Sequence, residues 1–167
     1  MAQLVVGFSK PKSWLEPFSW LIRLVTWSPV SHAYIKLSLG ELDKKIIFQA
    51  SGLVVNMIGE DLFDLKENIY KEFTLDIADA KHKEILQYAI DQLGQPYNFK
   101  GVLGMAVVRI GKLLGRKWNN PFGYNSSGAF CSELVAYILE TYDNVSFADV
   151  ADESPADVLA VMEQLTP

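Results

Sequence analysis

An α+β fold is predicted by the order in which two kinds of hydrophobic pattern occur along the chain. Short segments with alternating apolar residues occupy the first half, whereas segments with helical spacing dominate the second half. No internal repeat and no linker divides the 167 residues. Because this length is typical of one domain, we expect residues 1–167 to form a single unit in which an antiparallel sheet packs against helices.

Five strands are predicted, and they cover residues 2–8, 30–39, 45–50, 53–58 and 69–77. The first should end before Pro11, because proline cannot donate a hydrogen bond to a strand ladder. In the second, Ala33 and Ile35 alternate with His32, so the imidazole should leave the sheet on the opposite face. Polar turns join the second, third and fourth strands, which predicts an antiparallel meander.

Helical spacing predicts six helices, and these cover residues 13–26, 60–66, 79–93, 99–114, 131–142 and 155–164. Ser13, Asp79 and Ser154 are their expected caps. Three glycines inside residues 99–114 each disfavour a helix by up to ~1 kcal/mol. Residues 118–128 are rich in Asn, Gly, Pro and Ser, which indicates a loop that leads to Cys131.

Composition restricts the class of protein. Half of the residues are hydrophobic and 21% are charged, which excludes a disordered or collagen-like chain. A single cysteine excludes an internal disulfide and is typical of a reducing compartment. The apolar residues 4–8 are too few for a signal peptide, and residues 14–30 are interrupted by charge and proline. We therefore expect a cytoplasmic protein, although export by another route stays open.

Charge is distributed unevenly along the chain. The net charge is −5, yet no acidic residue occurs between Asp91 and Glu133, while Lys and Arg occur five times between residues 100 and 117. The acidic total argues against nucleic-acid binding. Residues 100–118, which we call the basic segment, combine apolar residues with cations and could contact a membrane or cell wall; an ordinary buried helix with a basic end is the alternative.

Cys131 is the first candidate for chemistry. A thiol in the first turn of a helix lies at the positive end of the helix dipole, which stabilises the thiolate. A small buried core residue is the alternative, since free cysteine is among the most buried residue types. Thiol catalysis also needs a base beside the sulfur and a group that orients the base.

The candidate bases are the two histidines, His32 and His82. His82 lies at the start of a helix between two lysines, where a solvated surface position is expected. His32 leaves a strand and could meet the helix that begins at Cys131. Gln49 is the uncharged polar side chain in the neighbouring strand, and its amide oxygen could accept the hydrogen of His32 Nδ1. The alternative for Gln49 is a residue on the solvent side of its strand.

Five short motifs along the chain, taken in order, resemble those of a known enzyme family. They are Ser-His at residues 31–32, Phe-Gln-Ala at 48–50, Leu-Gly-Gln-Pro-Tyr-Asn at 93–98, Phe-Cys-Ser-Glu-Leu-Val at 130–135 and Ser-Pro-Ala-Asp at 154–157. In this order they resemble the YiiX-like permuted branch of the NlpC-type papain-like cysteine peptidases and amidases. The resemblance implies a permuted papain-like fold with the nucleophile at a helix N-terminus.

The resemblance also implies roles for the three residues. Cys131 would be the nucleophile, His32 the base and later the acid, and Gln49 the residue that orients His32. Gln49 departs from the family pattern, which usually has glutamate there. An amide can orient the imidazole but cannot offset its positive charge, so the thiolate–imidazolium pair should be weaker than with a carboxylate.

Three functions stay open from the sequence. The first is a cysteine peptidase or amidase that forms a thioester acyl-enzyme. The second is an acyl hydrolase or acyltransferase directed at lipids, similar to the lecithin–retinol acyltransferase-like proteins. The third is a catalytically weak binding module on the same scaffold. No cofactor is indicated, because the chain has no glycine-rich phosphate loop and no clustered metal ligands.

Overall fold

A five-stranded sheet is the centre of the computed structural model, which describes residues 2–13, 17–121, 128–147 and 149–166. Its strands are β1 (Ala2–Pro11), β2 (His32–Leu39), β3 (Lys44–Ser51), β4 (Val54–Gly59) and β5 (Glu67–Ile77). They lie in the order β4-β3-β2-β1-β5, and each neighbouring pair is antiparallel. The predicted α+β class and the predicted meander of β2, β3 and β4 are confirmed.

β1 differs from its prediction at its C-terminal end. It continues through Pro11, which pairs with Glu67 of β5. Pairing with β2 stops at Ser9, so the last residues of β1 have a neighbouring strand on one side only. Proline is tolerated there because a strand edge does not need every N–H group for a ladder. The prediction that the strand ends before Pro11 was therefore wrong.

Helices fill most of the remaining described chain. They are α1 (Pro17–Thr26), α2 (Glu60–Lys66), α3 (Asp79–Asp91), α4 (Phe99–Leu113), α5 (Cys131–Asp143) and α6 (Pro155–Leu165). Ser154 caps α6 as predicted, by accepting from Asp157 N–H. The predicted cap Asp79 lies instead in the first turn of α3, and Ala78 holds the cap position. Residues 14–16 of the first predicted helix and 122–127 of the predicted loop lie outside the described residues.

The glycines of α4 have a structural use that outweighs their cost. A Cβ atom on Gly104 would lie 1.6 Å from Asn120 Oδ1, so only glycine admits this side chain. The Asn120 amide reaches the helix and donates to Gly101 O over 3.2 Å. Asn98 caps the first turn, because its Oδ1 accepts from Gly101 N–H at 2.7 Å. These contacts hold α4 as a helix despite its low intrinsic propensity.

The sheet separates two apolar layers of unequal size. The main core lies between one face and helices α3, α5 and α6, and it contains Ala33 and Ile35 of β2. On the other face, Tyr34 packs with Ile47 and with Phe63 of α2. A third cluster joins α1 to α4 through Ile22, Val102 and Met105. The predicted alternation of β2 is confirmed.

Tyr34 is held against the sheet by a glycine on the neighbouring strand. Gly7 of β1 lies opposite Tyr34, and a Cβ atom there would come within 2.1 Å of the Tyr34 ring. Phe63 closes the other side of the ring at a centroid distance of 4.4 Å. His32 stacks beside both rings, with centroid distances of 6.3 Å to each. This packing restricts the imidazole to one end of the sheet.

Candidate active site

Cys131 is the first residue of α5, as its sequence position predicts. Phe130 before it is extended, and its N–H donates to Glu133 Oε2 at 3.3 Å, which secures the start of the helix. The N–H groups of the first helical turn have no acceptor within the helix. Ser132 N–H, together with Ala33 N–H of β2, hydrogen-bonds to the Cys131 sulfur. The sulfur therefore lies where backbone donors converge.

His32 meets this sulfur at the end of the sheet. It is the first residue of β2, and α5 packs against β2. The side chains of His32 and Cys131 come close enough to shift each other's pKa although they are 99 positions apart in the sequence. A base and a nucleophilic atom are thus brought together, which is the first requirement of thiol catalysis.

Gln49 of β3 is the second partner of the imidazole. Its Oε1 lies 2.7 Å from His32 Nε2, and the residue is 6% exposed, so it is not on the solvent side of its strand. The bond uses Nε2 and not the Nδ1 that the sequence analysis proposed. Each ring nitrogen can serve one partner, so with Nε2 engaged by Gln49, Nδ1 is the nitrogen available to the sulfur.

Asn56 of β4 extends this set of hydrogen bonds, and the sequence analysis missed it. It lies opposite Gln49 in the β3–β4 ladder, and Gln49 Nε2 donates to Asn56 Oδ1 over 3.2 Å. Asn56 Nδ2 in turn donates to the carbonyl oxygens of Ser51 and Val54, both at 3.3 Å. A polar residue directly across the ladder from Gln49 is the signal that could have found it.

Tyr97 is a second residue that the sequence analysis did not assign. It lies in the connection between α3 and α4, held by a backbone bond of 2.8 Å from its N–H to Leu53 O. Burial, followed by the charge of Cys131 and hydrogen bonding with it, raises the pKa of the Tyr97 hydroxyl well above its usual value. The hydroxyl thus stays protonated and can donate.

Glu67 supplies the carboxylate that Gln49 lacks. It is the first residue of β5, and Ser9 Oγ donates to its Oε2 at 2.8 Å. Its negative charge acts on His32 and favours the imidazolium form. Nothing in the local sequence around Glu67 predicts this, because β5 reaches the site only by pairing with the far side of β1.

The electrostatics of the pair favour separated charges. Burial alone lowers the pKa of His32, but the hydrogen bond to Cys131, the charges of Cys131 and Glu67 and the bond to Gln49 together raise it to about 9. Burial alone raises the pKa of the Cys131 thiol, yet the hydrogen bond and charge of His32 and the two backbone N–H donors lower it overall. Both shifts favour the thiolate–imidazolium pair over the neutral pair.

A cavity of about 300 Å³ opens beside the pair. Cys131 is 2% exposed and does not itself line the cavity, but His32 and Tyr97, which both interact electrostatically with it, do. Much of the remaining wall is apolar, with Ile22, Leu53 and Phe99 among the lining residues. The cavity can receive a small, partly apolar group beside His32.

His82 is not part of this constellation. It lies in the first turns of α3, which packs against β1. The structure corrects in part the solvated position predicted for it, because the side chain is half-buried and its Nε2 atom is buried. Within the described ranges, no three Cys, His, Asp or Glu side chains come together to hold a metal ion. The described part of the chain also contains no helix that is long and apolar enough to cross a bilayer.

Comparison with known proteins finds no family model that matches the chain. Comparison with curated proteins gives no match either.

Proposed function

We propose that the protein is a cysteine-dependent hydrolase of the peptidase or amidase type, with Cys131 as nucleophile, His32 as base and then acid, and Gln49 as the residue that orients His32. One observation carries the proposal: His32 and Cys131 shift each other's pKa, with the thiol pKa lowered and the imidazole pKa raised. Opposite pKa shifts of a thiol and a neighbouring imidazole beside a cavity are typical of catalytic sites. A buried structural cysteine would have its pKa raised by its surroundings.

The fold supports the same proposal. A permuted papain-like fold of the NlpC type requires that the histidine precede the cysteine and that the nucleophile begin a helix packed on an antiparallel sheet. His32 starts β2 and Cys131 starts α5, which packs on β2 and β3. The YiiX-like resemblance of the five sequence motifs is compatible with this order. Because the nucleophile is a lone thiol that must stay reduced, we place the protein in a reducing compartment such as the cytoplasm.

The first half-reaction forms a thioester. The Cys131 thiolate attacks the substrate carbonyl carbon, and a C–S bond forms as the carbonyl electrons move to oxygen. The Tyr97 hydroxyl and the backbone N–H of Cys131 are the donors proposed to stabilise this oxyanion. When the intermediate collapses, the bond to the leaving group breaks and His32 transfers its proton to that group.

The second half-reaction releases the acyl group. His32 is now neutral and accepts a proton from water, whose oxygen attacks the thioester carbon. The C–S bond breaks, a carboxylic acid leaves, and the proton on His32 restores the thiolate–imidazolium pair. Throughout, the bond to Gln49 keeps Nδ1 directed at the sulfur.

Acylation of the single thiol tests the proposal. We expect p-nitrophenyl esters and p-nitroanilides to acylate wild-type protein, with the added mass detected on Cys131 by intact mass spectrometry and peptide mapping. Cys131→Ala should not be acylated, and His32→Ala should be acylated far more slowly. His82→Ala is the matched control and should behave as wild type. Wild-type protein that is never acylated between neutral and mildly alkaline pH would exclude the hydrolase and leave the binding module.

A lipid-directed acyl hydrolase or acyltransferase is a second candidate, and the apolar wall of the cavity favours it. Ile22, Leu53 and Phe99 line the space beside His32. Each buried CH₂ group contributes ~0.8 kcal/mol, or about fourfold in kcat/KM. A series of p-nitrophenyl esters with longer acyl chains should therefore react progressively faster if the acyl group occupies this cavity. A flat series would favour the peptidase or amidase.

A further inference from the structure

A second space in the molecule, of about 380 Å³, is lined by α3 and α5, and we call it the α3–α5 hollow. Tyr88 and Gln92 line it from the C-terminal end of α3, and Glu133 and Tyr137 line it from α5. The members of each pair are four residues apart, which places them on one face of their helix. The described residues that line this hollow are all different from those that line the cavity beside His32.

The charge of the α3–α5 hollow is negative. Among the described residues that line it, Glu133 is the one acidic or basic side chain. Glu133 is half-buried, and the nearby charge that acts on it, that of Asp149, is also negative. Burial, together with the charge of Asp149, raises the pKa of Glu133 to about 7. A half-buried carboxylate with a like charge beside it favours a positively charged partner.

The surrounding helices place few cations near this carboxylate. The sequence contains no Lys or Arg after Lys117, so neither α5 nor the segments that follow it can supply one. The lysines of α3, Lys81 and Lys83, lie in its first two turns, whereas the hollow is at its C-terminal end. Lys81 donates to Tyr142 O at 2.6 Å, at the far end of α5 from Glu133. A cation that pairs with Glu133 can therefore come from a ligand.

Oxygen acceptors accompany the charge. Glu133 Oε2 accepts from Phe130 N–H at 3.3 Å, which uses one of the roughly four acceptor positions of a carboxylate. Gln95, which also lines the hollow, donates from its Nε2 to Gln92 Oε1 at 2.6 Å. The Gln92 oxygen has a second lone pair and can accept another hydrogen bond. A primary ammonium group has three N–H donors, which such acceptors can satisfy.

The rest of the wall suits a hydrocarbon stem. Tyr88 and Tyr137 stack with their ring centroids 5.0 Å apart, and Leu134 and Val150 also line the hollow. The methylene stem of an amine packs along apolar and aromatic side chains while its charged end binds a polar group. Tyrosine rings also attract a positive charge near their faces.

We propose that the α3–α5 hollow binds a primary ammonium group on an apolar stem, with the nitrogen at the Glu133 carboxylate and the stem along Tyr88 and Tyr137. A free alkylamine and the side chain of a lysine in a peptide share this chemistry. A neutral ligand would leave the carboxylate without a counter-charge. The hollow does not use Cys131 or His32, so its ligand does not depend on the hydrolase proposed above.

Titration with n-butylammonium tests the site, with the backbone amide signals of residues 128–137 followed by NMR at about pH 8, where both the amine and Glu133 carry their charges. We expect saturable shifts of these signals. n-Butanol has the same stem without the charge and should bind at least about tenfold more weakly. Glu133→Gln should weaken n-butylammonium binding by a similar factor. Glu140→Gln is the matched control and should bind as wild type does, because Glu140 is an exposed glutamate of the same helix.

Nα-Acetyl-lysine amide distinguishes the two sources of the ammonium group. Tighter binding than n-butylammonium would assign the hollow to a lysine side chain of a peptide, and weaker binding would assign it to a free amine. Equal binding of n-butylammonium and n-butanol would overturn the proposal, as would unchanged binding by Glu133→Gln. Shifts confined to His32 and Tyr97 would place the amine in the active-site cavity and would also overturn it. Cys131→Ala should bind n-butylammonium as wild type does, so failure of this site and failure of hydrolysis can be told apart.

Discussion

Gln49 Nε2 donates to Asn56 Oδ1 over 3.2 Å, and this bond determines which end of the Gln49 amide faces His32. With its NH₂ group engaged by β4, Gln49 presents Oε1 to His32 Nε2. The proton of the neutral imidazole then resides on Nε2, and Nδ1 is free to accept from the thiol.

Asn56→Leu should therefore impair catalysis without touching the thiol. The Gln49 amide would no longer be held in place. We expect kcat/KM to fall about tenfold, which is the size of effect found when the residues that orient metal-binding histidines are lost. Asn56→Asp keeps the accepting Oδ1 and should retain more activity than the leucine variant. Equal loss in both variants, or a parallel drop in Tm, would indicate a structural role only.

The pH dependence should report the charge of Glu67. The raised pKa of His32, about 9, keeps the imidazolium protonated up to mildly alkaline pH. Glu67→Gln removes a negative charge, so the His32 pKa should fall and the alkaline limb of kcat/KM should move to lower pH. Gln49→Glu adds a carboxylate beside the same ring and should move that limb to higher pH. Unchanged limbs in both variants would contradict the charge assignment.

Alkylation of Cys131 should reveal the thiolate directly. The thiol pKa is lowered by His32 and two N–H donors, so iodoacetamide should react at neutral pH, and the chain has no other cysteine to interfere. A bulky maleimide should react much more slowly, because Cys131 is reached past His32 and Tyr97. His32→Ala should shift the alkylation profile to higher pH, whereas His82→Ala should not. Alkylation that begins only at strongly alkaline pH would contradict the ion pair.

Tyr97→Phe separates oxyanion stabilisation from packing. The ring contact with Phe99, at a centroid distance of 4.7 Å, survives the substitution, while the hydroxyl donor is lost. Loss of one oxyanion donor typically lowers kcat by about 10²-fold to 10³-fold, and KM should change little. A rise in KM with unchanged kcat would assign Tyr97 to substrate binding.

The raised pKa of Glu133 predicts that the stability of the fold depends on pH. Burial raises its pKa to about 7, against a smaller lowering by the Phe130 N–H and a further rise from Asp149. Because the pKa of Glu133 in the folded protein lies above the unfolded value of 4.5, its carboxyl group stays protonated to higher pH in the native state than in the unfolded state. The free energy of unfolding therefore falls as the pH rises from 4.5 to about 7. At mildly alkaline pH the charged carboxylate costs up to about 3 kcal/mol.

Glu133→Gln removes that cost and keeps an oxygen that can accept from Phe130 N–H. We expect the variant to be more stable than wild type above neutral pH, by up to about 3 kcal/mol, and the difference to shrink below about pH 5. Urea unfolding at several pH values measures both effects. A constant difference across the range would exclude titration of Glu133 as its cause.

The features that the sequence predicted correctly depend on residues that lie close together in the chain. Alternation in β2 predicted the side of the sheet on which His32 lies, and Ser154 with Pro155 marked the start of α6. These features depend on neighbours within one helical turn or one strand, so the order of residues is enough to predict them. The sequence likewise indicated Cys131 at a helix start and Gln49 as a polar residue in an apolar strand.

The tertiary structure decided how these residues meet and what surrounds them. Glu67 reaches the site through the pairing of β5 with β1, and Asn56 through the pairing of β4 with β3. Tyr97 comes from a connection that no periodic pattern describes. Strand order and side-chain packing bring these groups together, and the pKa values of Cys131 and His32 depend on the burial and charges that result. No local pattern contains that information, because the interactions join residues that are distant in the chain.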